Sequence, residues 1–158
     1  MQVCIFLVAV KMKKLLMIVV LGLLYCNLSM AESIDQKRNR YIYNNLSMDY
    51  NACQHYFLIM SEALRENNGD PAKVKNYVDS SKLASELAFS YGLESGMSNE
   101  AMLARSKILI DEMFKSINND FTNMSVLFLE YGKLCKNLID KPEIRSQYWI
   151  NKAFEKYN

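Results

Sequence analysis

Turn-forming residues are scarce in this sequence, which has five glycines and two prolines among its 158 residues. A collagen-like or a proline- and glycine-rich disordered chain would need several times as many. No segment alternates apolar and polar residues for long enough to predict a β-strand, whereas apolar residues recur at helical spacing nearly everywhere. These patterns predict an all-α protein, a compact bundle of four or five helices after an N-terminal signal peptide.

Residues that support catalysis or bind metals are also few. Histidine occurs once, as His55, which excludes a histidine-rich zinc site. The sequence lacks the Cys-x-x-Cys-His, Glu-x-x-His and Gly-x-Ser-x-Gly motifs and a glycine-rich phosphate loop. Cys53 cannot pair with His55 as nucleophile and base, because residues two apart on a helix point away from each other. We therefore predict no enzyme activity, no metal and no cofactor.

Acidic residues are absent from the first 31 positions, where lysines at 13 and 14 precede an apolar run from Leu15 to Tyr25 and the small residues around Ala31. This order is typical of a cleavable signal peptide. The run is shorter than the roughly 20 residues of a membrane span. We predict a signal peptide over 1–31, with Met12 as the expected start and Met1 as the alternative, and a single helical domain over 32–158. The expected location is the periplasm or outside the cell.

The charge of the predicted mature domain is close to zero. The whole chain has 19 basic and 17 acidic residues. Three of its lysines lie in the predicted signal peptide, called the leader below, which leaves 16 basic residues against 17 acidic ones. Such a balance gives no electrostatic reason to expect binding to nucleic acid or to an anionic membrane. We predict neither partner, and no stable membrane span after signal cleavage.

Four cysteines are present, of which Cys4 and Cys26 lie in the predicted leader. Acylation of Cys26 would make a lipoprotein, but the residue before it is a tyrosine rather than a small residue. Cys53 and Cys135 remain in the mature domain, and an even pair in an exported chain predicts a disulfide. Both fall on apolar helical stripes, so the bond would join the first helix to the fourth. Two unpaired buried thiols are the alternative.

Capping and turn residues predict the helix boundaries. The first helix is expected to begin between residues 33 and 49 and to run to about Asn67. Asp70 and Pro71 open the second helix, since aspartate accepts hydrogen bonds from free amides and proline needs no amide partner in the first turn. That helix is expected to end near Tyr91.

The later helices are predicted less completely. Ser98 should cap a third helix, whose inward residues are expected to be Ala101, Ala104, Ile108 and Met113. The polar residues 118–120 predict a break, but the apolar stripe keeps its phase from 110 to 138, so one long helix stays open as an alternative. Asp140 and Pro142 repeat the opening signal and start a last helix.

Aromatic residues are the most distinctive feature of the predicted mature domain. Tyrosine and tryptophan suit a surface that buries area while keeping a polar atom available. The best candidates for a contact surface are Tyr41, Tyr43, Tyr148, Trp149 and Arg145.

We therefore expect a non-catalytic envelope protein that acts through protein–protein interaction, as an inhibitor, an assembly factor or a stress factor, with an unknown protein partner. The alternative is a carrier that holds a small ligand or haem in an apolar cavity, which the ten methionines and aromatic stripes would suit.

Overall fold

The computed structural model describes residues 32–158 and contains five α-helices over that range, without a strand. They are α1 (Ile34–Glu66), α2 (Pro71–Glu94), α3 (Asn99–Ser116), α4 (Ser125–Asp140) and α5 (Pro142–Lys156), with a short 3₁₀ turn at Phe121–Asn123. The predicted all-α bundle is confirmed. The predicted signal peptide and its start residue lie outside the described residues.

Helix α1 is the centre of the bundle. Its 33 residues span about 50 Å, and most side chains between Leu46 and Ala63 are buried or half-buried around the whole circumference. The other helices pack along its length. The buried set of α1 includes five polar side chains: Ser47, Asp49, Asn51, His55 and Ser61. A central helix with this many polar positions needs hydrogen-bond partners from its neighbours.

Helix α2 runs antiparallel to α1. Ser47 donates its hydroxyl to the Ala88 carbonyl at 2.8 Å, and Ser81 donates to the Gln54 carbonyl at 3.0 Å. The start of α2 is the predicted one, since the Asp70 carboxylate accepts the amide of Ala72 at 2.9 Å and proline occupies the first turn. The two helices thus form a hairpin with hydrogen bonds between its arms.

Helices α4 and α5 follow one another along a different side of α1. Cys135 of α4 meets Cys53, Arg145 of α5 meets Asp49, and the chain after α5 reaches Arg38 near the start of α1. The prediction for the start of α5 is wrong in one respect. Asp140 closes α4, where it pairs with Lys136, and α5 begins at Pro142 without a side-chain cap.

The predicted disulfide is present. Cys53 and Cys135 are bonded, with Cα atoms 5.2 Å apart, and neither side chain is exposed to solvent. Around the bond lies the main cluster of buried residues, which includes Tyr50, Tyr56, Phe57, Ile59, Met113, Ile117, Leu127 and Leu138. The bond therefore fixes α4 to the middle of α1 inside the core.

The question of one or two helices after Ser98 is resolved in favour of two. Asn118 and Asn119 adopt φ angles of +56° and +54°, a left-handed conformation that asparagine tolerates and that a helix does not continue through. Asp120 then accepts the amide of Thr122 at 2.8 Å and opens the 3₁₀ turn before α4. The unbroken apolar stripe reflects two helices that both face α1.

The predicted inner face of α3 is wrong for three of its four residues. Ala101, Ala104 and Ile108 are exposed, and only Met113 is buried. The face that turns toward α1 and α2 carries Met102, Arg105, Ser106, Leu109, Ile110 and Met113. Apolar periodicity does not recognise this face, because two of its positions are occupied by arginine and serine. These two side chains line a groove instead of entering the core.

Candidate functional site

Three of the five residues predicted as a contact surface hold α5 against α1. Arg145 donates from Nε and Nη2 to the two carboxylate oxygens of Asp49, at 2.7 and 2.9 Å. Trp149 donates its indole N–H to the same carboxylate at 2.5 Å, and the edge of its ring packs on Tyr41 with centroids 6.0 Å apart. The carboxylate raises the pKa of Arg145 through these hydrogen bonds. These side chains have partners inside the chain.

The other two predicted residues are separated from each other. Tyr148 lies under the Arg145 guanidinium, 4.6 Å from its carbon to the ring centroid, and is 42 % exposed. Tyr43 stacks on Tyr91 of α2, with centroids 5.9 Å apart. The structure therefore brings Tyr148 together with Trp149 and Arg145, and places Tyr43 on the α2 side. A role of these five residues in contacting a partner stays a prediction.

A groove of about 300 Å³ opens on another side of the bundle, between α1, α2 and α3. We call it the α2–α3 groove; its floor includes Ser47, Asn51 and Gln54 of α1, and its rim includes Phe89, Met97 and Leu103. Arg105 and Ser106 of α3 form one wall. The groove thus combines an apolar mouth with polar groups inside.

A glycine sets how closely α3 approaches the α1–α2 hairpin. A Cβ atom on Gly92 would lie 2.2 Å from Sδ of Met102 and 3.3 Å from Oγ of Ser47, so a side chain there would displace the methionine. The loop after α2 then reverses at Gly96, with φ +79°, and Ser98 starts α3 by accepting the Ala101 amide at 3.2 Å. This turn closes one end of the groove.

The rim of the groove includes two exposed apolar side chains. Leu103 is 71 % exposed and Phe89 is 49 % exposed, and both border the same opening. Single exposed apolar side chains are common on protein surfaces, whereas apolar groups gathered around a concave site mark a binding surface. The rim is therefore a candidate surface for a ligand or a partner.

The floor offers amide groups with spare hydrogen-bonding capacity. Among residues 32–158, the side chains of Asn51 and Gln54 form no hydrogen bond with another protein group, although Asn51 is buried. Each amide has two donor hydrogens and an acceptor oxygen. An occupant of the groove could form hydrogen bonds with these groups. A peptide group would suit them, because it has both a donor and an acceptor.

His55 and Ser106 meet behind the groove wall, with Nε2 and Oγ 2.6 Å apart. His55 is buried, and its Nδ1 has no hydrogen-bond partner among residues 32–158. We assign the ring proton to Nε2, because a buried N–H without an acceptor costs more than a bare lone pair. In this tautomer His55 donates to Ser106, which leaves the serine hydroxyl hydrogen free to donate into the groove.

The His55–Ser106 contact resembles a nucleophile with its base, but it lacks the rest of such a site. An activated serine needs a base that can take up its proton, usually with a third group on the other ring nitrogen. Burial lowers the pKa of His55, and within the described part of the chain Nδ1 contacts no acceptor that would stabilise an imidazolium ion. The geometry therefore supports a hydrogen-bonding role for this pair.

Arg105 supplies the positive charge of the groove. It donates from Nη1 to the Asn44 side-chain oxygen at 3.0 Å, and it forms no ion pair with a carboxylate anywhere in the described part of the chain. Its half-buried position keeps part of the guanidinium away from bulk water. A half-buried cation whose partner is a neutral amide is suited to an anionic ligand.

Residues 32–158 contain neither a metal-type cluster of side chains nor a helix suited to cross a membrane. No cluster of three or more histidine, cysteine, aspartate or glutamate side chains has the arrangement of a metal site. No helix in the same range combines the length and apolar character required to cross a membrane. No protein-family model, curated protein or solved structure matches the chain.

Sequence reasoning missed the α2–α3 groove, although two signals pointed to it. Asn51, Gln54 and His55 interrupt the most apolar part of α1, where a helix at the centre of a bundle has little access to water. Arg105 and Ser106 fall in phase with the apolar residues of α3. Polar residues in phase with a core face, on two separate helices, could have indicated a shared polar site.

Proposed function

We propose that this protein is an exported, non-catalytic binding protein of the cell envelope that holds a protein partner in the α2–α3 groove. It would act as an inhibitor, an assembly factor or a stress factor, since proteins of each kind act by binding another protein. The observation that carries the proposal is the exposed apolar rim around a polar floor.

The rim favours a protein partner over a small molecule. An occupant of about 300 Å³ would fill the groove but leave much of Leu103 and Phe89 in water. A protein surface placed over the mouth would bury both side chains and the groove together. Interfaces commonly have this arrangement, in which a few apolar anchors and a small number of hydrogen bonds dominate the energy.

Export is supported by the chemistry of the core. A disulfide between fully buried cysteines is typical of proteins that fold outside the reducing cytosol. The basic, apolar and small-residue order of the leader agrees with this location. The periplasm, or the space outside the cell, is the compartment that we propose.

A small-ligand carrier is the second candidate, because the groove is large enough for a compact molecule. Its volume lies at the lower end of the range for ligand pockets, roughly 300–1,000 Å³. The haem version of this hypothesis would need His55 as an axial ligand, and the ring nitrogen Nε2 is already in contact with Ser106. An organic molecule smaller than haem would suit the groove better.

Site-specific photo-crosslinking in the exporting cell would test the protein-partner proposal. A photoreactive phenylalanine analogue is placed at Leu103 on the rim, or at Leu129, which is 81 % exposed on α4 and serves as the matched control. We expect one discrete adduct from position 103 and none of that size from position 129. The substitution Phe89→Glu in the same chain should abolish the adduct.

Two results would contradict the proposal. Equal adducts from both positions would indicate non-specific contact with an exposed apolar residue. The absence of an adduct at position 103, together with a small molecule retained by the native protein in mass spectrometry, would favour the carrier.

A further inference from the structure

The groove contains two donors that converge on one wall. Arg105 and Ser106 are adjacent on α3 and both line the groove. Arg105 has a neutral hydrogen-bond partner, Asn44, and pairs with no carboxylate of residues 32–158. With the His55 proton on Nε2, the Ser106 hydroxyl accepts from the histidine, and no other hydrogen bond of Ser106 occurs in the described range. A guanidinium beside a free hydroxyl is a typical donor pair for a carboxylate.

The remaining chemistry of the groove matches a peptide. The amide side chains of Asn51 and Gln54 can both donate to and accept from a peptide group. Phe89, Met97 and Leu103 offer an apolar surface beside them. One occupant would satisfy all three parts if it carried a carboxylate, a peptide bond and an apolar side chain close together.

The size of the groove restricts where in a partner these groups can occur. A volume of about 300 Å³ is too small for a folded segment and suits the end of a chain. The last residue of a protein has its carboxylate on the same carbon that bears its side chain, with a peptide bond just before it. Capture of a terminal carboxylate is a recurrent mode of peptide recognition.

We infer that the α2–α3 groove binds the free carboxyl terminus of a partner protein whose last residue is apolar. The carboxylate lies against Arg105 and Ser106, the last peptide group meets Asn51 and Gln54, and the terminal side chain packs under the rim. This inference rests on the function proposed above and specifies the partner's chemistry.

Two synthetic peptides provide the test on the unmodified, disulfide-bonded protein. The first is N-acetyl-Ala-Ala-Leu with a free carboxylate, and the second is the same peptide with a terminal amide. Binding is followed by ¹H–¹⁵N chemical-shift titration, which also identifies the residues contacted. We expect the free acid to bind at least about tenfold more tightly, because a charge-assisted hydrogen bond is lost in the amide. Shifts should concentrate at Asn51, Gln54 and Ser106.

Two charge-removing variants identify the cation that is responsible. Arg105→Gln should remove the preference for the free acid, whereas Lys107→Gln, the same change at an exposed position outside the groove, should keep it. Ser106→Ala should reduce the preference by a smaller factor. The spectrum of each variant without peptide shows whether its fold is retained, and the acid–amide comparison on the native protein does not depend on any variant.

Three results would overturn the inference. Equal affinity for acid and amide would show that the carboxylate is not recognised. An unchanged preference in Arg105→Gln would place recognition elsewhere. Sodium octanoate binding more tightly than the peptide would show a site for a free amphiphile. An adduct at Leu103 in the crosslinking experiment, obtained together with any of these results, would retain the protein-partner function while rejecting the terminal carboxylate.

Discussion

The two long sides of α1 differ in how their polar groups are used. On the α5 side, the buried Asp49 carboxylate receives three hydrogen bonds from Arg145 and Trp149. On the α2–α3 side, Asn51 and Gln54 have no side-chain hydrogen bond among the described residues, and Arg105 has no counter-ion there. The first side resembles a finished interior, and the second resembles an interface that lacks one component.

This difference indicates which polar residues maintain the fold. Buried polar groups in native proteins are nearly always paired, and those that are not require an explanation. The Asp49 cluster has its partners within the chain, so its loss should affect stability first. Among the described residues, Asn51 and Gln54 of the groove have no side-chain hydrogen bond and Arg105 has no counter-ion, so the loss of these three should affect binding first. Arg38, whose buried Nε also has no partner among the residues that the structure describes, is an exception on the α5 side.

Removal of the disulfide should have the largest effect on stability. The bond closes a loop over a sequence separation of 82, and the chain-entropy estimate for such a loop is about 4–5 kcal/mol. We expect the double variant Cys53→Ala/Cys135→Ala to lose about 4 kcal/mol of unfolding free energy in denaturant titration. A loss below about 1 kcal/mol would show that packing alone fixes α4 on α1.

Breaking the Asp49 cluster should have the next largest effect. Asp49→Ala leaves the Arg145 guanidinium and the Trp149 indole without their acceptor, and removal of one partner from a buried ion pair typically costs about 3 kcal/mol. Adding Arg145→Ala should cost little more, since the two residues act together. Asp79→Ala, in an exposed pair with Lys75, is the control and should change unfolding very little. Similar losses in both single variants would remove the distinction.

Acid should lower the stability of the protein through His55, which lies beside the groove. Burial lowers the pKa of its imidazole from 6.5, so the unfolded chain takes up the proton first as the pH falls. The free energy of unfolding is highest above about pH 6.5, where His55 is neutral in both the folded and the unfolded state. Below that pH it falls, by at most about 1.4 kcal/mol per pH unit, until the pH reaches the lowered pKa of the folded state. Between about pH 8 and pH 5, the native protein should lose stability relative to His55→Gln. Parallel curves of unfolding free energy against pH would contradict this linkage.

The rim should matter least for stability. Leu103→Ser removes a side chain that is 71 % exposed, and changes at such positions usually alter the unfolding free energy by less than about 0.5 kcal/mol. Circular dichroism melts should therefore resemble those of the native protein. A clear loss of stability would mean that Leu103 packs within the fold, which would weaken the case for the rim as a binding surface.

Much of the fold could be predicted from local signals. Proline at the first turn of α2, serine before α3 and a cysteine pair on two apolar stripes act over a few residues or through one strong constraint. The inner face of α3 could not be predicted in this way. Its phase depends on Arg105 and Ser106 facing the groove, and apolar periodicity assigns such residues to solvent.

The site required tertiary information for the same reason. The sequence drew attention to Tyr41, Trp149 and Arg145, whose chemistry suits any interface, and the structure places them between two helices of the same chain. Composition does not distinguish an internal interface from an external one. The groove combines residues from α1 and α3 that are some 50 positions apart, as the contact of His55 with Ser106 shows, at a separation of 51.

The position of the disulfide also has a mechanical consequence. Tension applied at Ile34 and Asn158 would run along α1 to Cys53, cross the bond to Cys135, and leave through α4 and α5. Helices α2 and α3 lie in the closed loop, outside this line of force. While the bond is intact, roughly 280 Å of chain inside the loop cannot be extended. Stretching the oxidised chain would therefore pull α5 from α1 first and leave the walls of the groove without load until the bond is reduced.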